Sequence, residues 1–358
     1  MPREQAIEFS IDHLQVLAPD GSVDSDLDPD LSEDHLLELY WTMKRSRRLD
    51  ERAIALQRRG ELGTYAPAIG QEAAQVGSAD ALEETDWMVT SFRETPAYLT
   101  RGTPPRALLQ YAMGMEEGAA APREERNFPP SVPVGSQALH AAGLGWAQEI
   151  TGEDAATIGY FGDGATSEGD VYEALNLAGV FDAHSVFFCQ NNQYAISVPR
   201  EKQTRAETLA QKAIAAGIDG IQVDGNDVLG TYAAVKEAVE SARNGDPVFV
   251  EALTYRRSIH TTSDDPSLYR KQEEEDEWEE RDPIVRFESY LRERGILDDD
   301  RIEEMRESIE ENLREEIAAA NEAREGVEAV EMFDNVYESR TRELDRQRAA
   351  FTEGENDR

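Results

Sequence analysis

Ala155-Ala-Thr-Ile-Gly-Tyr-Phe-Gly-Asp-Gly164 and Ser185-Val-Phe-Phe-Cys-Gln-Asn-Asn-Gln-Tyr194 are the two stretches that decide the fold. Each is a short apolar run that ends in a polar turn, and residues 167–181 between them have helical spacing. Asp163 and Asn192 lie 29 residues apart, the length of one strand–helix–strand unit. Parallel pairing brings both to the carboxyl ends of neighbouring strands, where open α/β sheets bind their ligands. The alternation continues through helix 205–216, strand 218–224, helix 227–243 and strand 247–254. The expected fold class is therefore α/β, a mostly parallel sheet with flanking helices.

Outward from that unit, apolar residues at helical spacing (Leu36, Leu39, Tyr40, Met43, Leu49, Ile54) predict a helix after Pro29, over 31–59, stopped by Gly60. Residues 1–30, with Pro19-Asp-Gly21 and Asp24-Ser-Asp-Leu-Asp-Pro29, read as an N-terminal arm ordered only against something else. Met115 to Pro130, rich in small residues and prolines, reads as a long surface loop. After residue 270 charged helices follow, at 272–280, 283–294, 299–324 and 327–350. This divides the chain into an arm (1–30), an α/β domain (31–270) and a helical C-terminal extension (271–358). The acidic run Glu273-Glu-Glu-Asp-Glu277 is read as a solvated helix face.

The chain has 358 residues, with 74 Asp and Glu against 36 Lys and Arg, a formal net charge of −38. That balance excludes a nucleic-acid or anionic-membrane binder. Only Lys44, Lys202, Lys212, Lys236 and Lys271 are lysines, and an acidic, lysine-poor surface points to salt adaptation. The single cysteine, Cys189, lies in an apolar run and reads as core rather than nucleophile. No stretch reaches the roughly 18 apolar residues of a membrane span, and the first residues show no signal pattern. The expected location is cytoplasmic.

The carboxylate of Asp163, the amide oxygen of Asn192 and a nearby backbone carbonyl are hard donors suited to Mg²⁺. Gly162 and Gly164 let backbone approach a diphosphate, and a helix start near Ser167 offers it N–H groups. Alone, Gly-x-x-Gly-x-Gly is as readily a tight strand–helix turn, and it is neither the dinucleotide fingerprint nor a Walker loop. Gly-Asp-Gly164 followed after 26 residues by Asn191-Asn192, however, resembles the thiamine diphosphate motif. The runs Gly159-Tyr-Phe-Gly-Asp-Gly-Ala-Thr-Ser-Glu-Gly-Asp170, Gln190-Asn-Asn-Gln-Tyr-Ala-Ile-Ser197, Gly220-Ile-Gln-Val-Asp-Gly-Asn-Asp227 and His260-Thr-Thr-Ser-Asp-Asp-Pro-Ser-Leu-Tyr-Arg270 resemble, in order, the E1 α subunit of 2-oxo acid dehydrogenase complexes. The resemblance covers about residues 35 to 345.

The resemblance implies a thiamine-diphosphate-binding fold and a set of site residues. Asp163, Asn192 and the Tyr194 carbonyl would hold Mg²⁺, which anchors thiamine diphosphate. Arg93 would pair with diphosphate oxygens; Phe92, Val132, Val134, Gly162, Gly164 and Ala165 would line the cofactor pocket, with Val134 helping to bend the cofactor. His260 would be catalytic, moving a proton or stabilising charge as the acyl group passes to lipoamide, in a loop ordered by Arg256, Asp264, Tyr269 and Arg270. The implied reaction is oxidative decarboxylation of a 2-oxo acid with reductive acylation of a lipoyl group. The implied partners are an E1 β subunit, in an α₂β₂ heterotetramer, and a lipoyl-bearing E2 acyltransferase. His13, His35, His140 and His184 read as structural or surface residues.

Some residues depart from the family pattern. Phe92 stands where many relatives carry tyrosine, Gln190 where some carry arginine, and Ser258 where most carry glycine, so Ser258 is expected to restrict the turn before His260. Thr261, Thr262 and Ser263 occupy a loop phosphorylated in some eukaryotic relatives; here their hydroxyls are read as loop hydrogen-bond formers. Gln190 to Asp227 looks closest to pyruvate enzymes and His260 to Asp265 to branched-chain enzymes. Pyruvate is the favoured substrate, with branched-chain 2-oxo acids and acetoin as alternatives. A non-catalytic scaffold has no need of Arg93, Asp163, Asn192 and His260 together, and a nicotinamide enzyme would show a dinucleotide fingerprint early in the sheet.

Overall fold

The computed structural model describes residues 5–120, 123–334 and 336–356. Its strands are β1 (Asp12–Leu14), β2 (Trp87–Val89), β3 (Thr157–Gly162), β4 (Ser185–Asn191), β5 (Tyr194–Ala195), β6 (Val198–Pro199), β7 (Asp219–Asp224) and β8 (Val248–Leu253). Six of them form one sheet in the order β1-β7-β8-β4-β3-β2, with every pairing parallel. β5 and β6 make a small antiparallel hairpin beyond β4. The helices are α1 (Glu33–Arg58), α2 (Glu72–Asp80), α3 (Thr95–Thr100), α4 (Pro105–Ala112), α5 (Ser136–Thr151), α6 (Gly169–Val180), α7 (Gln211–Ala216), α8 (Val228–Arg243), α9 (Gln272–Glu279), α10 (Pro283–Glu293), α11 (Asp299–Glu325) and α12 (Arg342–Asn356).

Central strands read as continuous apolar runs because both faces of a parallel sheet are covered. Every residue of β4 is buried. Its alternate side chains separate into two cores: Val186 and Phe188 pack with Ile158, Tyr160, Val250 and residues of α2 and α8. Phe187 and Cys189 pack with Phe161, Phe249 and residues of α5 and α6. Burial pushes the Cys189 thiol far above its ordinary range, as expected of a core cysteine. A third core joins α1 to α10, and a fourth joins α1 to α11. No helix among the described residues is long and apolar enough to cross a membrane.

Several expectations change on contact with the structure. The N-terminal arm is partly an edge of the sheet: Asp12 to Leu14 pair with Ile221 to Val223. Val16 and Leu17 are buried, and their N–H groups donate to Asp227 Oδ2 at 2.7 and 2.8 Å. A three-residue edge strand is too short to show a period, and its anchor is distant in sequence. Residues 1–4 lie outside the described residues. Helix 205–216 shortens to α7, because the N–H groups of Leu209 and Ala210 donate to the Glu251 carboxylate, at 2.8 and 3.1 Å, rather than entering a helix. Asp163 to Ser167 wind as a 3₁₀ turn, so α6 starts at Gly169. The last helix begins after Thr341, whose hydroxyl accepts from Leu344 N–H, and not at 327; residues 329–333 form a separate 3₁₀ turn. The 115–130 loop carries 3₁₀ turns at 116–119 and 123–125; Ala121 and Pro122 lie outside the described residues.

Gly77 sits where α2 crosses α8. A Cβ there would lie 2.6 Å from the Val228 carbonyl oxygen and 3.1 Å from Thr231 Cβ, and backbone cannot yield as a side-chain tip does. Gly77→Ala is expected to destabilise the protein by about 1–3 kcal/mol, the cost of an overpacked contact. Reversible denaturant unfolding of wild type and variant measures it, and an unchanged midpoint would refute this account of the crossing.

Candidate functional site

β3 and β4 pair with Gly162 opposite Gln190, so the first residues past the two strands emerge side by side at the carboxyl edge of the sheet. A cavity of about 890 Å³ opens there. Phe92, Arg93, Val132, Val134, Gly162, Asp163, Gly164, Ala165, Asn192, Tyr194 and His260 all line it. The residues read from the sequence are thus brought together without exception.

Asp163 is buried, and burial raises its carboxyl pKa. Gln203 Nε2 donates to its Oδ2 at 2.5 Å. The Asn192 amide touches acceptors on both sides. One terminus lies 3.3 Å from Asp163 Oδ1 and 3.1 Å from the Tyr194 carbonyl oxygen, the other 3.0 Å from Gln71 Oε1. With Nδ2 donating to Gln71, the Asn192 oxygen completes a cluster of three oxygens at separations that suit shared coordination of a hard cation. With the amide turned, its Nδ2 would instead bridge Asp163 and Tyr194, which leaves Oδ1 against Gln71 Oε1. Gln71, buried with its own Nε2 unpartnered, and the Tyr194 N–H, which donates to Asn192 Oδ1 at 3.4 Å in the first arrangement, both bear on the choice.

Two residues beside this cluster have left-handed backbone, Gln193 at φ 75° and Ile196 at φ 55°. For a β-branched residue this is a true outlier. Gln193 Nε2 donates to the Asn191 carbonyl and side-chain oxygens, both at 3.0 Å, and Arg256 donates to the Ile196 carbonyl at 2.7 Å. These bonds hold Tyr194 between them. Gly164 is needed for close packing, since a Cβ there would lie 2.8 Å from Ala195 Cβ. Gly162 has ordinary extended backbone and no atom nearer than 3.9 Å to where a Cβ would stand; its missing side chain leaves cavity space.

Two buried guanidinium groups also border the cavity, and Arg256 Nη1 reaches the cluster itself, 3.4 Å from the Tyr194 carbonyl oxygen. Arg93 donates to the Pro67 carbonyl at 2.7 Å, and to the carbonyl and Nδ1 of His260, both at 3.0 Å. Burial and the charge of Arg256 bring its pKa down to about 10. Arg256, fully buried, donates to Tyr269 Oη at 2.8 Å and to His260 Nδ1 at 3.2 Å. Arginine can only donate, so Nδ1 accepts and the imidazole is neutral with its proton on Nε2. Burial and the two guanidinium groups push the His260 pKa down to about 4.

The loop itself is held by the residues read from the sequence. Asp264 accepts from His260 N–H at 2.7 Å and from Tyr269 at 2.6 Å, while Arg270 donates to the Arg256 carbonyl and pairs with Glu275 at 3.0 Å. The acidic helix α9 is therefore more than a solvated face: Glu275 joins the loop, and Glu274 accepts from Tyr194 Oη at 2.8 Å. Ser258 is not among the residues with left-handed backbone, so serine fits this turn without strain. The Phe92 ring meets the His260 ring edge-on at 6.0 Å, a contact that needs no hydroxyl. Val132 and Val134 line the cavity yet are 54% and 51% exposed.

Sequence reasoning missed the supporting amides Gln71, Gln75 and Gln203 and the carboxylate Glu94. Isolated polar residues in loops or short helices have no spacing that marks them as buried. The other histidines lie elsewhere: His184 binds the Ala155 carbonyl and Glu149, and His35 binds Asp80.

A model of the family described as dehydrogenase E1 component matches residues 40–327. The chain is 43% identical over 350 residues to the 3-methyl-2-oxobutanoate dehydrogenase subunit alpha of Mycobacterium tuberculosis, covering 97% of this chain and 95% of that protein. It is 40% identical over 346 residues to the pyruvate dehydrogenase E1 component subunit alpha of Staphylococcus aureus, covering 96% and 93%. Motif order, cavity and full-length similarity agree: the chain belongs to the dehydrogenase E1 component family, as the E1 α component of a 2-oxo acid dehydrogenase.

Proposed function

We propose that this chain binds the diphosphate end of thiamine diphosphate through Mg²⁺ held by Asp163, Asn192 and the Tyr194 carbonyl, and serves in the oxidative decarboxylation of a 2-oxo acid and the reductive acylation of E2 lipoyl groups. The observation that carries it is the meeting of the Asp163 carboxylate, the Asn192 amide and the Tyr194 carbonyl with two buried arginines around one cavity. Thiamine diphosphate is the cofactor that the family implies; when bound it supplies the electron sink for decarboxylation. Arg93 and Arg256 give the cavity positive charge for an anion. Phe92, Val132, Val134, Gly162, Gly164 and Ala165 shape it around the cofactor.

His260 is the residue to which we assign proton handling. Neutral, with the proton on Nε2, it donates a hydrogen bond and stabilises negative charge. It is a poor proton acceptor at Nδ1, where two guanidinium N–H groups already point. The half-exposed Val132 and Val134 support a partner over the cavity mouth, read here as an E1 β subunit in an α₂β₂ assembly. Pyruvate is favoured by the Gln190 to Asp227 run. The branched-chain acid is the second reading, favoured by His260 to Asp265 and by the mycobacterial relative. The excess of 38 negative charges also leads us to infer a salt-adapted enzyme, and the cytoplasm is its proposed location.

Decarboxylation measured in high potassium chloride, with thiamine diphosphate and Mg²⁺, tests the reading. This chain with a co-expressed β chain is expected to turn over pyruvate faster than 3-methyl-2-oxobutanoate, and the chain alone neither. The reverse preference would select the branched-chain reading, and failure of the pair to bind cofactor would remove both. Asp163→Asn relieves a buried carboxylate, so the melting temperature of the cofactor-free assembly should hold or rise. The variant should nevertheless lose at least about tenfold in Mg²⁺-dependent cofactor affinity, since even residues behind metal ligands are worth 10–100-fold; retention of the Mg²⁺-induced thermal shift would show that Asp163 is no ligand. Nitrogen NMR of histidine-labelled protein, with His260→Gln to assign the signal, should show His260 neutral with Nε2 protonated from pH 7 down to about pH 4. Its contribution to stability is present above the unfolded pKa near 6.5 and lost as pH falls toward 4. A midpoint near 6.5 would contradict the two-arginine environment.

A further inference from the structure

Glu94 is buried, and its three hydrogen-bond donors are all neutral N–H groups. Gln190 Nε2 donates to Oε1 at 2.8 Å; the Ser91 and Arg93 N–H groups donate to Oε2 at 2.9 and 3.0 Å. Burial raises its pKa, but all three partners are donors, which favours the carboxylate, since the O–H of the acid form would find no acceptor among them. Gln190 Oε1 in turn accepts from Gln75 Nε2 at 2.8 Å, and that same nitrogen lies 3.2 Å from the Arg93 carbonyl oxygen. The Arg93 residue is thus gripped at both its N–H and its C=O. Gln190, at the other end of the chain of bonds, is in register with Gly162 and two residues before Asn192.

We propose that Glu94 is a positioning residue: with Gln190 and Gln75 it forms a splint that sets the distance between Arg93 and the Asp163–Asn192 loop, and so the fit of the site to a diphosphate. The proposal rests on the cofactor reading given above. An unpaired carboxylate lining an anion site would repel the ligand. Here its lone pairs are spent on the turn that presents the arginine, so the same charge preorganises the site.

The polarity of the chain of bonds gives the test. In Glu94→Gln the amide has one accepting and one donating end: its N–H either meets an N–H, from Gln190 or from the Ser91–Arg93 turn, or Gln190 and Gln75 turn with it and set Gln75 Oε1 against the Arg93 carbonyl oxygen. In the double variant E94Q/Q190E the pattern closes again. Gln at 94 accepts from the turn and donates to Glu at 190, which also accepts from Gln75, and the net charge equals that of the wild type. Two quantities are read on the chain assembled with its co-expressed β subunit: the thiamine diphosphate dissociation constant at saturating Mg²⁺, and hydrogen-exchange protection of the segment holding Ser91 and Arg93 without cofactor. E94Q is expected to bind about tenfold more weakly, the worth of one hydrogen bond to a charged group, and to lose that protection. E94Q/Q190E should recover both to within about twofold. Unchanged binding and protection in E94Q, or a double variant worse than the single, overturns the splint. If the wild type binds no cofactor the reading of the site fails instead, and protection alone then decides: lost and regained, the splint stands; unchanged or not regained, it falls.

Discussion

The register of β3 against β4 is the constraint on which the rest depends. With Gly162 beside Gln190, Asp163 and Asn192 leave the sheet together. In strands buried on both faces a one-residue slip exchanges every side chain between the two cores. The aromatic sorting of Tyr160 and Phe188 to one side, and Phe161 and Phe187 to the other, forbids that slip. Hydrophobic packing thereby fixes the separation of two polar groups that take no part in it.

What the packing brings together is electrostatically costly. With Asn192 Nδ2 turned to Gln71, three acceptor oxygens meet beside the cavity, with Arg256 Nη1 3.4 Å from the Tyr194 carbonyl, and two guanidinium groups share one imidazole nitrogen. Left-handed Gln193 and Ile196 add backbone strain of order 1–3 kcal/mol each. The surroundings offset these terms through bonds that reach far along the chain. Arg47 binds Glu72 and, at 3.0 Å, Asp282; Arg257 binds Asp282 too, and Asp282 caps α10. Gly70 lies over the Tyr255 carbonyl where a Cβ would come within 2.4 Å. Asp50, whose burial lifts its pKa to about 7, still accepts from Tyr65 and from Ala68 N–H near the cavity. The helices around α10 are thus part of what holds the His260 loop in place.

The sheet and the reacting groups were legible in the sequence because each leaves a local signature: a buried run ending in Gly-Asp-Gly, another ending in Asn-Asn, a polar loop holding the histidine. The framework around them was not. Gln71, Glu94 and Gln203 act through partners 121, 96 and 40 positions away, and no window of sequence registers such a bond. The N-terminal edge strand escaped for the same reason, since Asp227 that anchors it is 211 positions from Val16. The acidic run before Trp278 was misjudged because charge pattern reports solvent exposure on average. It cannot show that Glu274 and Glu275 turn back to Tyr194 and Arg270.

A chain with 38 excess negative charges is at first sight ill suited to the diphosphate proposed for its cavity. The conflict dissolves once distance is considered. Charges on the surface are screened over about 8 Å at physiological ionic strength and about 3 Å at 1 M salt, so in brine the acidic exterior is nearly silent inside the cavity. Arg93 and Arg256 are buried, where screening is weak and a charge keeps its full strength at short range. The sign of the whole molecule and the sign of the site are therefore independent variables. In this fold the first is carried by exposed carboxylates, and the second by two buried arginines.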